Sequence, residues 1–256
     1  MLLDKKPIVS DMKWVDWKYI DANEDHFPHV HEDFRSIDLD EFIGKKLTSR
    51  NDEMIMQFYS TAHFYPNGRI VWMTDGVRYQ SSVQEWATLL GVPKAEENDI
   101  DVYAKSKMDH NSMANQYTEI PDQEKENHKL GSVYYLLAGL ATSNTIMRHT
   151  MMPKSGDERM IRGHSINMLH HIDCSERFRL MDLIVETITK TAADQKRPCG
   201  FAPHIQVLIN SKVGNKTYLL DREHLPLRPE FQDNTVTMDP SHPTSATAQA
   251  KKEARA

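Results

Sequence analysis

His170 and Cys174 stand four residues apart, and on a helix that spacing puts an imidazole and a thiol one turn apart, close enough to share a zinc ion. His171 is adjacent, whereas His164 lies more than a turn further back and cannot join them there. Structural zinc takes four ligands, and two are not a site. A helix surface with a partly buried cysteine accounts for the same residues. His26, His29 and His31 sit in a proline-containing acidic loop, where weak adventitious metal capture is the most their pattern implies. Cys199 with His204 raises a second chemistry, a thiol nucleophile near a helix start with an imidazole base. Five residues across a Gly-Pro break fix no geometry, and no third group to orient the base is identifiable. No catalytic, cofactor-binding or metal-ligating residue is assigned.

Other chemistries leave weaker traces. Two-metal transposases hold their ions with carboxylates that project from a sheet scaffold, and this chain offers one short hairpin. Lys154-Ser-Gly-Asp157 and Pro66-Asn-Gly68 lack the flanking glycines of a phosphate loop and read as turns. Trp72, Trp86, Tyr134 and Tyr135 could stack on bases, but aromatic residues on apolar faces are core far more often. Arg148, Arg159, Arg162, Lys190, Lys196 and Arg197 are interleaved with Asp157, Glu158, Glu186 and Asp194, the pattern of a solvated mixed surface rather than a basic patch.

Composition narrows the classes further. The 256 residues can bury a sizeable core, and one domain with tails is expected. Hydrophobic residues make up 39%, below the globular average of about 45–50%, as polar tails on an ordinary core would produce. Residues 1–41 hold eleven Asp/Glu and five Lys/Arg, while residues 42–256 carry 26 of each. A neutral body argues against a strong electrostatic hold on nucleic acid. Two cysteines fit a reducing compartment, no apolar run approaches the roughly 20 residues that span a bilayer, and the start lacks a secretory signal. Cytosol or nucleus is expected, with no membrane partner and no small-molecule substrate identified.

The elements that would position these residues are read as follows. Residues 1–36 form an acidic, irregular arm whose Trp14, Trp17 and Tyr19 point to packing on the domain or on a partner. Ile37 to Lys46 reads as a short helix, and Asn51 caps another carrying Met54, Ile55, Phe58 and Tyr59. Ile70–Met73, the turn Asp75-Gly76 and Val77–Tyr79 predict a hairpin at about 69–80. Ser82-Val-Gln-Glu85 is a capping box, opening a helix through Trp86, Ala87 and Leu90 that Gly91 and Pro93 end. A long polar connection follows, with room for one short helix. The spacing from Lys129 to Ala141 predicts a central apolar helix, and further helices are read from Asn144, through Ile161 to Ile172, from Ser175 to Asp194, and from Pro203 to Gly214. Residues 223–256 are punctuated by prolines and expected to be a disordered tail. The expected fold is therefore mainly α, a helical bundle-like domain over 37–222 with one short β-hairpin.

The runs FYSTAHFYPNGRIVWMTDGVRYQSSVQEWATLLGVP, GLATSNTIMRHTMMPKSGD, MIRGHSINMLHHID and TKTAADQKRPCGFAPHIQVLI together resemble the open reading frames of grass transposable elements. These are known as plant transposon or retrotransposon proteins, related to Athila-type first open reading frames and more distantly to the plant mobile domain. The resemblance spans about residues 37–230. It implies a non-enzymatic protein acting through protein–protein contacts, with gag-like self-assembly as one form. The alternatives it leaves open are a transposase-associated or DNA-directed factor of the element, and a domesticated nuclear factor. It carries no catalytic residues onto this chain, and with two cysteines the Cys-Cys-His-Cys knuckle of many retroelement capsid precursors is missing.

Overall fold

Asp75 and Gly76 both take left-handed backbone, with φ of 51° and 74°, the two-residue turn whose twist matches that of the strands it joins. Thr74 therefore faces Val77, and the ladder continues to Arg69 opposite Ser82. The computed structural model describes residues 8–101, 110–119, 134–136, 140–152, 160–161, 164–194, 197–213, 220 and 222–231. Along them run β1 (Trp14–Val15), α1 (Trp17–Asp21), α2 (Val30–Arg35), α3 (Asp40–Gly44), α4 (Asp52–Thr61), β2 (His63–Phe64), β3 (Arg69–Thr74), β4 (Val77–Ser82) and α5 (Val83–Leu90). There follow α6 (His110–Tyr117), β5 (Thr118–Glu119), β6 (Tyr134–Leu136), α7 (Ala141–Thr150), β7 (Met160–Ile161), α8 (His164–Asp173), α9 (Leu180–Ala193), α10 (Ala202–Val213) and β8 (Pro226–Leu227).

Local chemistry sets the ends of the best-defined helices. The Asn51 side chain accepts from the Met54 amide at 3.0 Å and opens α4. Ser82 accepts from the Glu85 amide at 3.0 Å and opens α5. The expected capping box is only half made, because the Glu85 carboxylate takes the Ser81 hydroxyl and Lys212 instead of reaching back. Gly91, at φ 76°, closes α5 in left-handed conformation while the following amide turns back to Ala87. Met54, Ile55, Phe58 and Tyr59 line the buried face of α4, and the Phe58 ring lies 5.8 Å from that of Trp72 on β3. Burying a Phe-sized side chain contributes about 1.5–3 kcal/mol. On the other side, the Trp86 indole donates to the His204 carbonyl at 3.0 Å and ties α5 to α10.

The expectation of a mainly α fold with a single hairpin is wrong. Helix makes up about 49% and strand about 15% of the described residues, and the strands form three sheets: parallel β1-β8, antiparallel β2-β3-β4 and antiparallel β5-β6-β7. The architecture is mixed α/β. The hairpin itself gains a third strand, β2, with His63 opposite Val71. Within the central helix read from Lys129, Tyr134–Leu136 is strand β6, paired with Thr118–Glu119 on one side and Met160–Ile161 on the other. Aromatic residues in a short apolar run suit a buried strand as well as a helix, and pairing partners decided between them. The remainder of that run up to residue 133, and residues 137–139, lie outside the described residues.

Two helix starts shift for a visible reason. Ser175 takes left-handed backbone at φ 54°, and the Glu176 amide bonds back to the His171 carbonyl at 2.8 Å, which closes α8. The chain then stays extended through Phe178, bridged to Ile100, so α9 begins at Leu180 rather than Ser175. Ile161 belongs to β7, and α8 begins at His164. The short helix anticipated in the polar connection is α6.

One hydrophobic cluster runs from Met12, Val15, Ile20 and Phe34 of the acidic arm through α4, α5, α9 and α10 to Leu227. Trp14–Val15 pairs in parallel with Pro226–Leu227, and Val9 bridges Cys199. The arm is thus built into the core, and part of the proline-rich segment closes over it. Residues 232–256 lie outside the described residues, as does Gly214.

Candidate functional site

Four residues, one from α6 and three from α8 and its end, meet at one end of α8. Tyr117, at the end of α6 and buried, donates its hydroxyl to Asp173 Oδ2 at 2.9 Å and lies 2.8 Å from His170 Nδ1. A carboxylate only accepts, so the single Tyr117 proton goes to Asp173 and the phenol oxygen accepts from His170 Nδ1–H. Cys174 Sγ, exposed at the helix end, is 3.6 Å from Nδ1 and 3.9 Å from Nε2 of the same ring. The nitrogen nearer the thiol therefore carries a proton and cannot take another. This cluster holds the imidazole in one tautomer and joins α6 to α8. It brings His170 and Cys174 together as their spacing implied, and among the described residues it adds no third ligand. His171 turns elsewhere, to Glu176 at 2.9 Å, and the side chain of His164 is outside what the structure describes.

The histidines of the arm diverge. His31 Nδ1 meets Asp21 at 2.7 Å and its ring stacks on Trp17 at 4.2 Å. His26 lies against Phe231, and His29 Nδ1 is 3.6 Å from Glu32. Among the described residues no three His, Cys, Asp or Glu side chains are grouped to hold a metal.

Cys199 and His204 are both sealed in the core, where β1, α10 and the segment at His224 meet. Burial pushes the Cys199 thiol up to about 11 and the His204 imidazole down to about 3, helped by the neighbouring His224. A nucleophile needs the thiolate and a base must accept a proton, and this environment opposes both. No hydrogen bond joins the two, and the His204 ring stacks instead on Phe42 at 5.1 Å. His224 accepts the Leu47 amide on Nδ1 at 2.9 Å and is lowered to about 4, mainly by burial. Tyr59 donates to the Gly200 carbonyl at 2.8 Å, and burial with nearby Cys199 raises its hydroxyl well above the ordinary value. Arg50, 1% exposed, is held between Asp11 at 2.6 Å and Asp52 at 2.8 Å.

The residues weighed for nucleic acid are placed as follows. Trp72 and Trp86 are fully buried. Arg148 is buried, Lys190 pairs with Glu186, and Arg197 reaches Asp194 at 3.1 Å. Arg159, Arg162, Lys196 and the turn Lys154–Asp157 lie outside the described residues, and the side chains of Tyr134 and Tyr135 are not described. Pro66-Asn-Gly68 is a turn, with the Gly68 amide on the Tyr65 carbonyl at 2.9 Å.

Sequence reasoning did not connect Tyr117 or Asp173 with His170. Tyr117 is 53 residues from His170, and no local signal spans that gap. Among the described residues no helix is long and apolar enough to cross a membrane. Compared with known proteins, the chain matches no family model, no curated protein and no solved structure.

Proposed function

We propose that this chain is a non-enzymatic protein of transposable-element origin that works through protein–protein contacts, with capsid-like self-assembly as its mode, in the cytosol or nucleus. The observation that carries the reading is the state of the latent chemistry in the core: Cys199 and His204 lie where burial favours neutral thiol and neutral imidazole. The resemblance to grass transposable-element reading frames supports the origin. Equal numbers of acidic and basic residues over 42–256 favour protein over nucleic acid as partner.

Light scattering on the full chain across a concentration series tests it. The expected result is a mass rising above 29.6 kDa with concentration. A mass fixed at the monomer value throughout overturns self-assembly, and tight, salt-sensitive RNA binding in a filter assay replaces protein contacts with nucleic-acid packaging.

A further inference from the structure

A cleft of about 150 Å³ lies between α5 and the segment that leads into α9. Its walls are largely apolar, with Leu39, Val83, Ala87, Val92, Phe178 and Met181 among them. Five charged residues line it: Lys94, Asp99, Arg177, Arg179 and Asp182.

Their charges are not all matched. Arg177 is fully engaged, with Nη1 3.0 Å from Glu96 and 3.3 Å from Asp38, and Nε 3.6 Å from Asp99. Asp99 also accepts the Glu96 amide at 2.8 Å. Arg179, two residues on, has no such partner: its Nε is shielded from water and unbonded, and no described carboxylate lies within ion-pair distance of its guanidinium. Lys94 and Asp182, which also line the cleft, are exposed, and neither makes an ion pair with a described residue. The Arg179 guanidinium therefore lines the cleft without a carboxylate partner among the described residues, and an anion there would supply one. The first turn of α9 adds to this, because Arg179 at its N-cap supplies no side-chain acceptor and Leu180, Met181 and Asp182 line the same cleft.

We infer that this cleft binds a small organic anion, its single carboxylate or phosphate group held by Arg179 and Lys94 and its compact apolar body set against Leu39, Val83 and Phe178. A cavity of about 150 Å³ is of the size that takes a benzene ring.

Benzoate and phenyl phosphate carry the two head groups on such a body, while inorganic phosphate lacks the body and benzyl alcohol lacks the charge. Titrated into the full ¹⁵N-labelled chain, benzoate or phenyl phosphate is expected to bind with Kd on the order of 1 mM. Binding should move the amide signals of Leu180, Met181 and Asp182 and the Arg179 Nε–H signal. The tighter of the two identifies the head group. Arg179→Met is expected to weaken binding at least about tenfold, and the exposed Lys94→Gln by about twofold. The inference is overturned by an absence of shifts at about ten times that concentration. Phosphate binding as tightly as phenyl phosphate also overturns it, indicating an adventitious ion only, as does benzyl alcohol binding as tightly as benzoate. If Arg179→Met fails to fold, the four probes on the unaltered chain and on Lys94→Gln decide it.

Discussion

Gly44 lies flush against the indole of Trp17: a β-carbon at Gly44 would fall 2.5 Å from both Cδ1 and Nε1 of that ring. The indole has little room to retreat, since Nε1–H donates to the Asp40 carbonyl at 2.8 Å and the ring stacks on His31 at 4.2 Å. In a helix, glycine to alanine ordinarily gains about 0.5–1 kcal/mol. Here the sign should reverse. Gly44→Ala is expected to lose about 1–3 kcal/mol by overpacking, read as a lower urea midpoint. An unchanged or raised midpoint would show that the indole slides aside freely.

His204 and His224 make the fold acid-sensitive. Their imidazoles are lowered from the ordinary 6.5 to about 3 and about 4, so the unfolded chain binds their protons first as pH falls. Stability is whole above about pH 6.5 and falls as pH drops below it, the His224 share fully lost by about 4 and the His204 share by about 3. The slope should reach about 1.4 kcal/mol per pH unit for each ring. His204→Phe keeps the stack on Phe42 and removes one titration, so urea midpoints between pH 6 and 4 should fall less steeply in the variant. Parallel curves for the two proteins would exclude His204 as the source.

The two thiols should differ sharply in reactivity. Cys174 is exposed, while Cys199 is buried with its thiol pushed up to about 11. A disulfide reagent at neutral pH is expected to label Cys174 promptly and Cys199 only after unfolding, as resolved by peptide mass spectrometry. Prompt labelling of Cys199 in the native protein would mean that the seam at Ser10 and Ile8 opens readily.

Ser82 carries the start of α5 by itself, because Glu85 has turned to Ser81 and Lys212. Ser82→Ala should therefore cost about 1 kcal/mol and Ser82→Gly only a few tenths. Thermal or urea unfolding separates the two, and equal losses would show that strand pairing rather than the cap matters at this position.

Residues that act on their immediate neighbours were legible in the sequence. Asn51, Asp75-Gly76, Ser82 and Gly91 each impose a turn or a cap within four residues, so α4, β3, β4 and α5 could be read directly. The strands β5, β6 and β7 could not, because each has only two or three residues and exists through pairing with a segment far away in sequence. A period of two needs more residues than that to show itself. Ser175 was read as a helix start, yet its left-handed backbone ends α8. The spacing of His170 and Cys174 correctly placed them side by side. What it lacked was Tyr117, whose hydroxyl decides which ring nitrogen carries the proton.

Trp14–Val15 finds its strand partner at Pro226–Leu227, and Arg50 its backbone partner at Arg222. Trp14–Val15 must therefore wait for a stretch more than two hundred residues later before its edge is paired. Until synthesis reaches Leu227, the backbone edge of Trp14–Val15 has no strand to pair with, the kind of open edge that must be kept from other chains while it waits.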